Sequence, residues 1–439
     1  MYKRKSKIGL RFPVVLIIVA MLSVGTLFAG GRQEKKAAPA ETKKEKVTIT
    51  FLGWWDDEYG KDTMQKIADM FMEKHPDVQV KMLNSPHSAF EDKLLAMSQA
   101  GETPDVMGME FNWVPRFDKM GILANLEPLI EKEGDYWKER YNPGWTGYYG
   151  GRAVIQWLYA MSYGPVYNVG KFEELGINVP TDWNELEERL AQYKNATGKY
   201  GMAIPLAKDS FAHFLLYSYF TRLIQAGGAL LDKEGTAVFN SEAGARALQY
   251  WKNLADKDLL YPDALSLSDP MTIELLTSEE IGMLMIGPFI GPIARQRNPD
   301  LKLSYTPPFE DATGGFVSSG SGASLSKNSR NPGIAWEFFK HLISDEVALM
   351  MTEEVKTPWA NKKAFSSPVY DEDPLLKQIP VMLSRPGGQP LPFVPELGDL
   401  INSFGENVQA YWMGQKTAKE ALDDAADHWN EVIEAYRKK

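Results

Sequence analysis

The 439-residue chain has no cysteine. That excludes disulfides, iron–sulfur clusters, thiol catalysis and zinc sites built on thiolates. Histidine is nearly as scarce: His75, His87, His213, His341 and His428 lie far apart and none forms H-x-x-x-H. No metal motif is present, although a carboxylate-only cation site would leave no spacing signature. Positive charge is in deficit, with 48 Lys+Arg against 58 Asp+Glu and a formal charge of −10. A nucleic-acid surface needs clustered Lys and Arg, so that partner class is excluded. No phosphate loop is present either: the Gly314–Gly322 stretch (GGFVSSGSG) fits neither G-x-x-x-x-G-K-[ST] nor G-x-G-x-x-G. It is a plain loop or a place where small residues let backbone amides and hydroxyls approach a ligand. No G-x-S-x-G elbow and no motif-selected pair of carboxylates points to an enzyme. No repeat of solenoid period occurs, and no cofactor is implied.

What is present begins at the N-terminus. Lys3, Arg4, Lys5, Lys7 and Arg11 precede an uncharged apolar run from Phe12 to Ala29. This pattern, with Leu27-Phe28-Ala29 as the cleavage site, reads as a Sec-type signal peptide over 1–29. Uncut, its 18 apolar residues would be a short membrane anchor. Either way the rest of the chain is exported. Residues 30–46 are rich in Ala, Pro, Lys and Glu and read as a solvated flexible linker. Without the first 29 residues, which carry five basic and no acidic side chains, the formal charge is −15.

Beyond the linker, hydrophobic periodicity switches between two and 3.6 residues. Val47–Leu52 reads as a strand, and Met64, Ile67, Ala68 and Phe71 mark one helix face. Val78–Met82 is a second strand, Phe90, Leu94 and Met97 a second helix, and Asp105–Met107 a third strand. That alternation predicts a parallel α/β sheet. Further helices are expected after Asp182, after Asn331-Pro332 and after Thr417, whose Glu420 completes a capping box. Tyr200–Pro205, Ile281–Ile286 and Leu301–Thr306 read as strands. Phe211–Leu231 carries His213, Arg222 and Gln225 and reads as a buried aromatic helix. So many alternating elements predict two α/β lobes.

Aromatic residues are abundant: 12 Trp, 19 Tyr and 20 Phe. Trp54-Trp55-Asp56-Asp57 follows the first strand directly, and Glu110-Phe111-Asn112-Trp113 follows the third. Ligands of parallel sheets bind beyond the carboxyl ends of the strands. A sugar ring stacks its C–H faces on aromatic rings while carboxylates and amides pair its hydroxyls. Trp145, Tyr148 and Tyr149 extend that surface or pack as core.

Eight segments in order carry a family resemblance: Val47–Phe51 with Trp54; Phe71-x-x-x-His75-Pro76-Asp77-Val78; Gly101-x-x-Pro104-Asp105-Val106; Gly121-x-Leu123-x-x-Leu126; Tyr167-Asn168-x-x-x-Phe172-Glu173-Glu174-Leu175-Gly176; Pro180-x-x-Trp183-x-Glu185-Leu186; Gly282-Met283-x-Met285-x-x-Gly287-Pro288-Phe289; and Ala335-Trp336-x-Phe338-x-x-x-Leu342. From Val47 to Tyr436 the chain resembles the extracellular solute-binding proteins of ABC importers, in the carbohydrate-binding group that includes maltose-binding protein.

The resemblance implies a two-lobed α/β periplasmic-binding-protein fold of type II, its lobes joined by crossover strands around a hinge. The first lobe would comprise 47–158 with 306–343, and the second 159–305 with 344–439. It implies a monomer that binds a mono- or oligosaccharide between the lobes and delivers it to membrane permease subunits, with no bond made or broken. By position, Trp54, Trp55, Asp56, Glu110, Asn112 and Trp113 match first-lobe ligand loops. Phe289 takes the place of a stacking Trp, and Ser319 and Gly320 lie in the small-residue loop that meets the ligand. Asp209, Ser210, Trp359 and Arg385 are second-lobe candidates. Two departures stand out. Many relatives carry a lipid-modified cysteine at the signal end; Leu27-Phe28-Ala29-Gly30 has none, so a periplasmic or peptide-anchored state is expected. The usual Tyr-Gly-Val/Leu-Pro crossover is replaced by Tyr149–Trp157 (YGGRAVIQW), which leaves ligand size open. Three other readings stand beside the sugar: a glycerol phosphodiester, a polyamine, and a secreted glycan-degrading enzyme.

Overall fold

The computed structural model describes residues 46–438 except 160, 308, 310, 384–387, 391–393 and 395. The expected signal peptide, all of the linker but Lys46, and Arg385 therefore lie outside the described residues.

Twelve strands are present in the described chain: β1 (Val47–Gly53), β2 (Val78–Asn84), β3 (Val106–Met109), β4 (Thr146–Tyr149), β5 (Arg152–Trp157), β6 (Met161–Ser162), β7 (Gly164–Asn168), β8 (Met283–Ile286), β9 (Leu303–Tyr305), β10 (Phe316–Ser319), β11 (Gly322–Leu325) and β12 (Gly388–Pro390). The first sheet has the order β2-β1-β3-β11-β5-β4. Its first three strands are parallel, with Val47 opposite Val78 and Phe51 opposite Val106. The helices between them supply the crossovers that parallel pairing demands. Helix Thr63–Lys74 buries Met64, Ile67, Ala68 and Phe71, the face that the periodicity marked. Strand β11 returns from far along the chain, antiparallel to both β3 and β5.

A second sheet, β8-β7-β9, is wholly antiparallel. Two passages of chain join it to the first. One runs from β5 through β6 to β7, the other from β9 through β10 to β11, and β6 pairs antiparallel with β10 at Ser162–Ser318 and Met161–Ser319. These are the crossover strands of a two-lobed α/β fold.

Local signals explain the helix boundaries. The Asp182 carboxylate accepts from the backbone N–H groups of Asn184 and Glu185 at 2.7 and 2.9 Å, starting helix Trp183–Thr197. Thr417 and Glu420 form the reciprocal capping box of helix Ala418–Arg437. Tyr200–Pro205 departs from expectation: it forms only isolated bridges, Met202 with Leu260 and with Met283. Pro205 lacks an N–H, so a ladder cannot continue through it.

The segment after Leu342 packs on the first lobe. Trp359 meets Tyr59 edge-on, Lys66 pairs with Glu354 at 2.5 Å, and Arg140 pairs with Asp345 at 3.2 Å.

Candidate functional site

The carboxyl ends of β1, β2 and β3 deliver three polar side chains to one place. After β1 the chain turns into the short helix Asp56–Tyr59, so Glu58 lies one turn beyond Trp54. Trp54 Nε1 donates to Glu58 Oε1 at 3.0 Å. His87 opens the helix that follows β2, and Glu110 follows β3. His87 Nε2 is 3.6 Å from Glu110 Oε1. The same carboxylate accepts a short hydrogen bond from Ser321 Oγ, which itself accepts from the Tyr159 hydroxyl at 3.0 Å.

From the second lobe come Asp269, His213, Tyr217 and Phe289. Asp269 opens helix Asp269–Thr277, and its backbone N–H donates to Ser210 Oγ at 2.8 Å. His213 Nδ1 lies 3.0 Å from Asp269 Oδ2, near enough for an ion pair though off the line of a hydrogen bond. Tyr217 stacks on His213 at 5.0 Å and on Tyr163 at 4.3 Å, with Phe289 at 6.3 Å.

The two groups are near enough for their charges to act on one another. Asp269 contributes to the charge felt by His87, while Glu110 and Glu58 act on Tyr217. Burial pushes the Glu58 carboxyl up to about 7; Glu110 adds to the rise, while His87 and the Trp54 hydrogen bond oppose it. For His87 burial disfavours the charged ring, but the hydrogen bond and charge of Glu110 outweigh it and the pKa rises. The Tyr59, Tyr159 and Tyr217 hydroxyls are held well above the usual value, chiefly by burial. The result is a cleft of carboxylates, imidazoles and hydroxyls beside stacked aromatic rings.

The residues singled out from sequence divide into two sets. Glu110 lies at the centre of the first-lobe group, Phe289 at the cleft wall, and Ser210 positions Asp269. Gly320 is buried where a Cβ would stand 2.9 Å from the Trp157 ring, and Ser319 pairs with Met161 on β10. Asn112 and Trp113 line a separate groove of about 540 Å³, whose opposite wall includes Tyr149 and Glu396. Lys119 spans it to Glu396 at 2.7 Å.

The tryptophans are scaffolding. Trp54 and Trp55 are both fully buried. Trp54 contacts Trp55, Phe90 and Trp113 at 4.4, 4.9 and 5.5 Å, while Trp55 stacks on Phe51. Trp359, read as a ligand residue, is fully buried too; its Nε1 donates to Leu342 O at 2.7 Å and it contacts Tyr59 and Tyr159. The apolar area of these rings is satisfied within the lobe, leaving no face for a ligand. Asp56 accepts from Met64 N at 3.2 Å, which secures the start of the next helix. Asp209 is exposed and accepts from Ser210 Oγ at 3.0 Å.

Sequence reading missed Glu58, His87, Ser321, Tyr159, Tyr163, His213, Tyr217 and Asp269. For two a signal existed: the strand-end rule applies to β2 as well as to β1 and β3, which gives His87, and Glu58 is four residues from Trp54. Asp269 and His213 are brought to the cleft by topology alone. Among the described residues no group of three or more His, Asp or Glu could hold a metal ion, and no helix is long and apolar enough to cross a membrane.

Comparison with known proteins accords with this architecture. A family model described as bacterial extracellular solute-binding protein matches residues 57–349. A binding protein of Brucella abortus is 23% identical over 371 residues, 82% of this chain and 87% of the relative. A melibiose/raffinose/stachyose-binding protein of Bacillus subtilis is 23% identical over 300 residues, 66% of this chain and 67% of the relative. The GacH receptor of Streptomyces glaucescens, studied unliganded and with acarbose, superposes with a TM-score of 0.77 at 23% identity, covering 89% of this chain and 99% of that one. With a family model spanning well over half of its length and a two-lobed fold to match, the chain belongs to the bacterial extracellular solute-binding protein family.

Proposed function

We propose that this protein is the solute-binding component of an ABC importer, which captures a mono- or oligosaccharide between its lobes and delivers it to a membrane permease. The observation that carries this reading is the pairing, across one cleft, of the Glu110–Ser321–Tyr159 hydrogen-bonded chain with the stacked Tyr163–Tyr217 rings. The first supplies acceptors and donors for hydroxyls; the half-buried Phe289 beside the second offers an apolar face for the sugar ring. Glu58, His87, Glu110, Tyr217, Asp269 and Phe289 are the residues assigned to the ligand. The sugar ligands of the Bacillus and Streptomyces relatives support the ligand class. Because the ligand touches both lobes, its differential contacts favour the closed state, the form a permease would receive. Export to the periplasm or cell surface follows from the signal-like N-terminus.

Titration of the purified protein with a panel of mono- and oligosaccharides, followed by tryptophan fluorescence, tests the reading. Saturable change with at least one sugar is expected; none across the panel refutes it. Glycan hydrolysis has one observation in its favour: a carboxyl pushed up to about 7 beside a second carboxylate is an acid–base arrangement. Release of reducing ends from glycans by the purified protein would establish that reading; none is expected.

A further inference from the structure

The lobes touch directly at two places, through atoms other than the side chains assigned to the ligand. The first is the groove that Trp113 lines. There Lys119, the last residue of helix Val114–Lys119 in the first lobe, places its Nζ 2.7 Å from Glu396 Oε1. Glu396 immediately precedes helix Leu397–Trp412, which is built into the second lobe: Gln409 Nε2 donates to Leu206 O at 2.7 Å, and Phe404 packs on Tyr219 at 5.0 Å. Beside this pair, Tyr149 on the edge strand β4 meets Tyr436 on the last helix, their hydroxyls hydrogen-bonded at 3.3 Å. The second place is helix Ile290–Arg297, which starts directly after Phe289 at the cleft wall. Its Gln296 Nε2 donates to the backbone carbonyl of Glu58, in the first lobe, at 2.8 Å.

Each of these contacts joins an element of one lobe to an element of the other. Rotation of the lobes about the crossover strands breaks all three and leaves both sheets intact. Singly they are weak, because they are exposed: the Lys119 and Glu396 side chains keep 66% and 46% of their accessible surface. An exposed ion pair shifts an equilibrium by no more than about fivefold. All three act on the same equilibrium, however, and contacts at separate places multiply in their effect on it.

We infer that Lys119–Glu396, Tyr149–Tyr436 and Gln296–Glu58 form a latch that favours the closed arrangement of the lobes independently of any ligand. A ligand that binds the closed form gains affinity in proportion to the population of that form. The latch would therefore set how tightly a ligand is held without choosing which ligand is held.

The test measures the gap between the lobes directly. The chain has no cysteine, so two introduced thiols carry spin labels without background. Gln99 and Gly398 line the groove from opposite lobes, both are exposed, and a Cβ on Gly398 meets nothing within 4 Å. In Gln99→Cys/Gly398→Cys protein, dipolar distance measurement in low-salt buffer without sugar should show one predominant, short separation. Lys119→Glu sets two carboxylates against each other and should raise the ratio of long to short separations at least about threefold. Adding Glu396→Lys exchanges the charges and should restore the short separation, which damage to the fold would not allow. Gln296→Ala, far from the labels in sequence, should shift the ratio in the same direction as Lys119→Glu. A predominantly long separation in the parent, a ratio that Lys119→Glu or Gln296→Ala leaves unmoved, or a failure of the exchanged pair to restore it overturns the inference. None of these results touches the sugar reading, whose own test is the titration.

Discussion

Replacing Glu58 with glutamine tests the electrostatics of the cleft without disturbing its packing. The side chain keeps its size, and the amide oxygen still accepts from Trp54 Nε1, so only the charge is removed. Burial lifts this carboxyl from 4.5 to about 7. Between those values the native protein holds a proton that the unfolded chain has released, so stability falls as pH rises through that interval and levels off above it. At about 1.4 kcal/mol for each tenfold change in proton affinity, the loss accumulated by pH 8 is on the order of 3 kcal/mol. Burial sets the rise; His87 and the Trp54 hydrogen bond oppose it, and Glu110 and Asp57 reinforce it. Urea unfolding of both proteins from pH 4.5 to 8 reads the difference. Glu58→Gln should gain about 3 kcal/mol relative to the parent over this range, most of it below pH 7. Parallel stability curves would refute the argument, because they would mean that Glu58 reaches water in the native state.

Trp54→Ala removes a fully buried indole at the junction of Trp55, Phe90 and Trp113, and should cost about 3–5 kcal/mol of stability by urea unfolding, whereas Trp54→Phe should cost much less; a loss under about 1 kcal/mol for the alanine variant would contradict the core assignment. At Gly108, a Cβ would stand 2.5 Å from Trp54 Cζ3, so Gly108→Val should destabilise by about 1–3 kcal/mol or more, read as a lowered melting temperature. Tyr217→Ala should weaken binding of any sugar found in the panel by at least about tenfold, since it removes the central ring of the His213–Tyr217–Tyr163 stack; unchanged affinity would remove Tyr217 from the site.

Much of the fold was legible because its cues are local. The face Met64, Ile67, Ala68 and Phe71, the Asp182 cap and the Thr417–Glu420 box each fix an element within a few residues, and each is present as read. The parallel order of β1, β2 and β3 followed from the same alternation. The antiparallel insertion of β11 between β3 and β5 joins residues about 165 to 215 positions apart, and periodicity carries no information at that range. The site was half legible for the same reason. Strand ends locate Glu110 and the neighbourhood of Glu58, but Asp269 and His213 enter the cleft from elements whose sequence marks only a helix start and a buried aromatic run.

The tryptophans show why residue type misled where position did not. Trp54 was placed at the correct strand end and given the wrong task. A large ring beside a ligand pocket can be its wall or the support behind the wall, and burial decides between them. Trp54 meets the cleft's polar groups through its Nε1, which holds Glu58 Oε1, and through its ring, which meets His87 at 5.3 Å. Its apolar bulk fills the space that the absent side chain of Gly108 leaves open on β3. Tyr217 and Tyr163 are buried too and stack on each other, so by the same criterion the ring left partly open is Phe289. Tryptophan therefore fixes the geometry of the polar groups, and the Tyr217–Tyr163 stack is likewise a support. The division predicts that Trp54→Phe alters recognition through Glu58 and His87, whereas Tyr217→Phe, which keeps the ring, should retain more affinity than Tyr217→Ala for every sugar that binds.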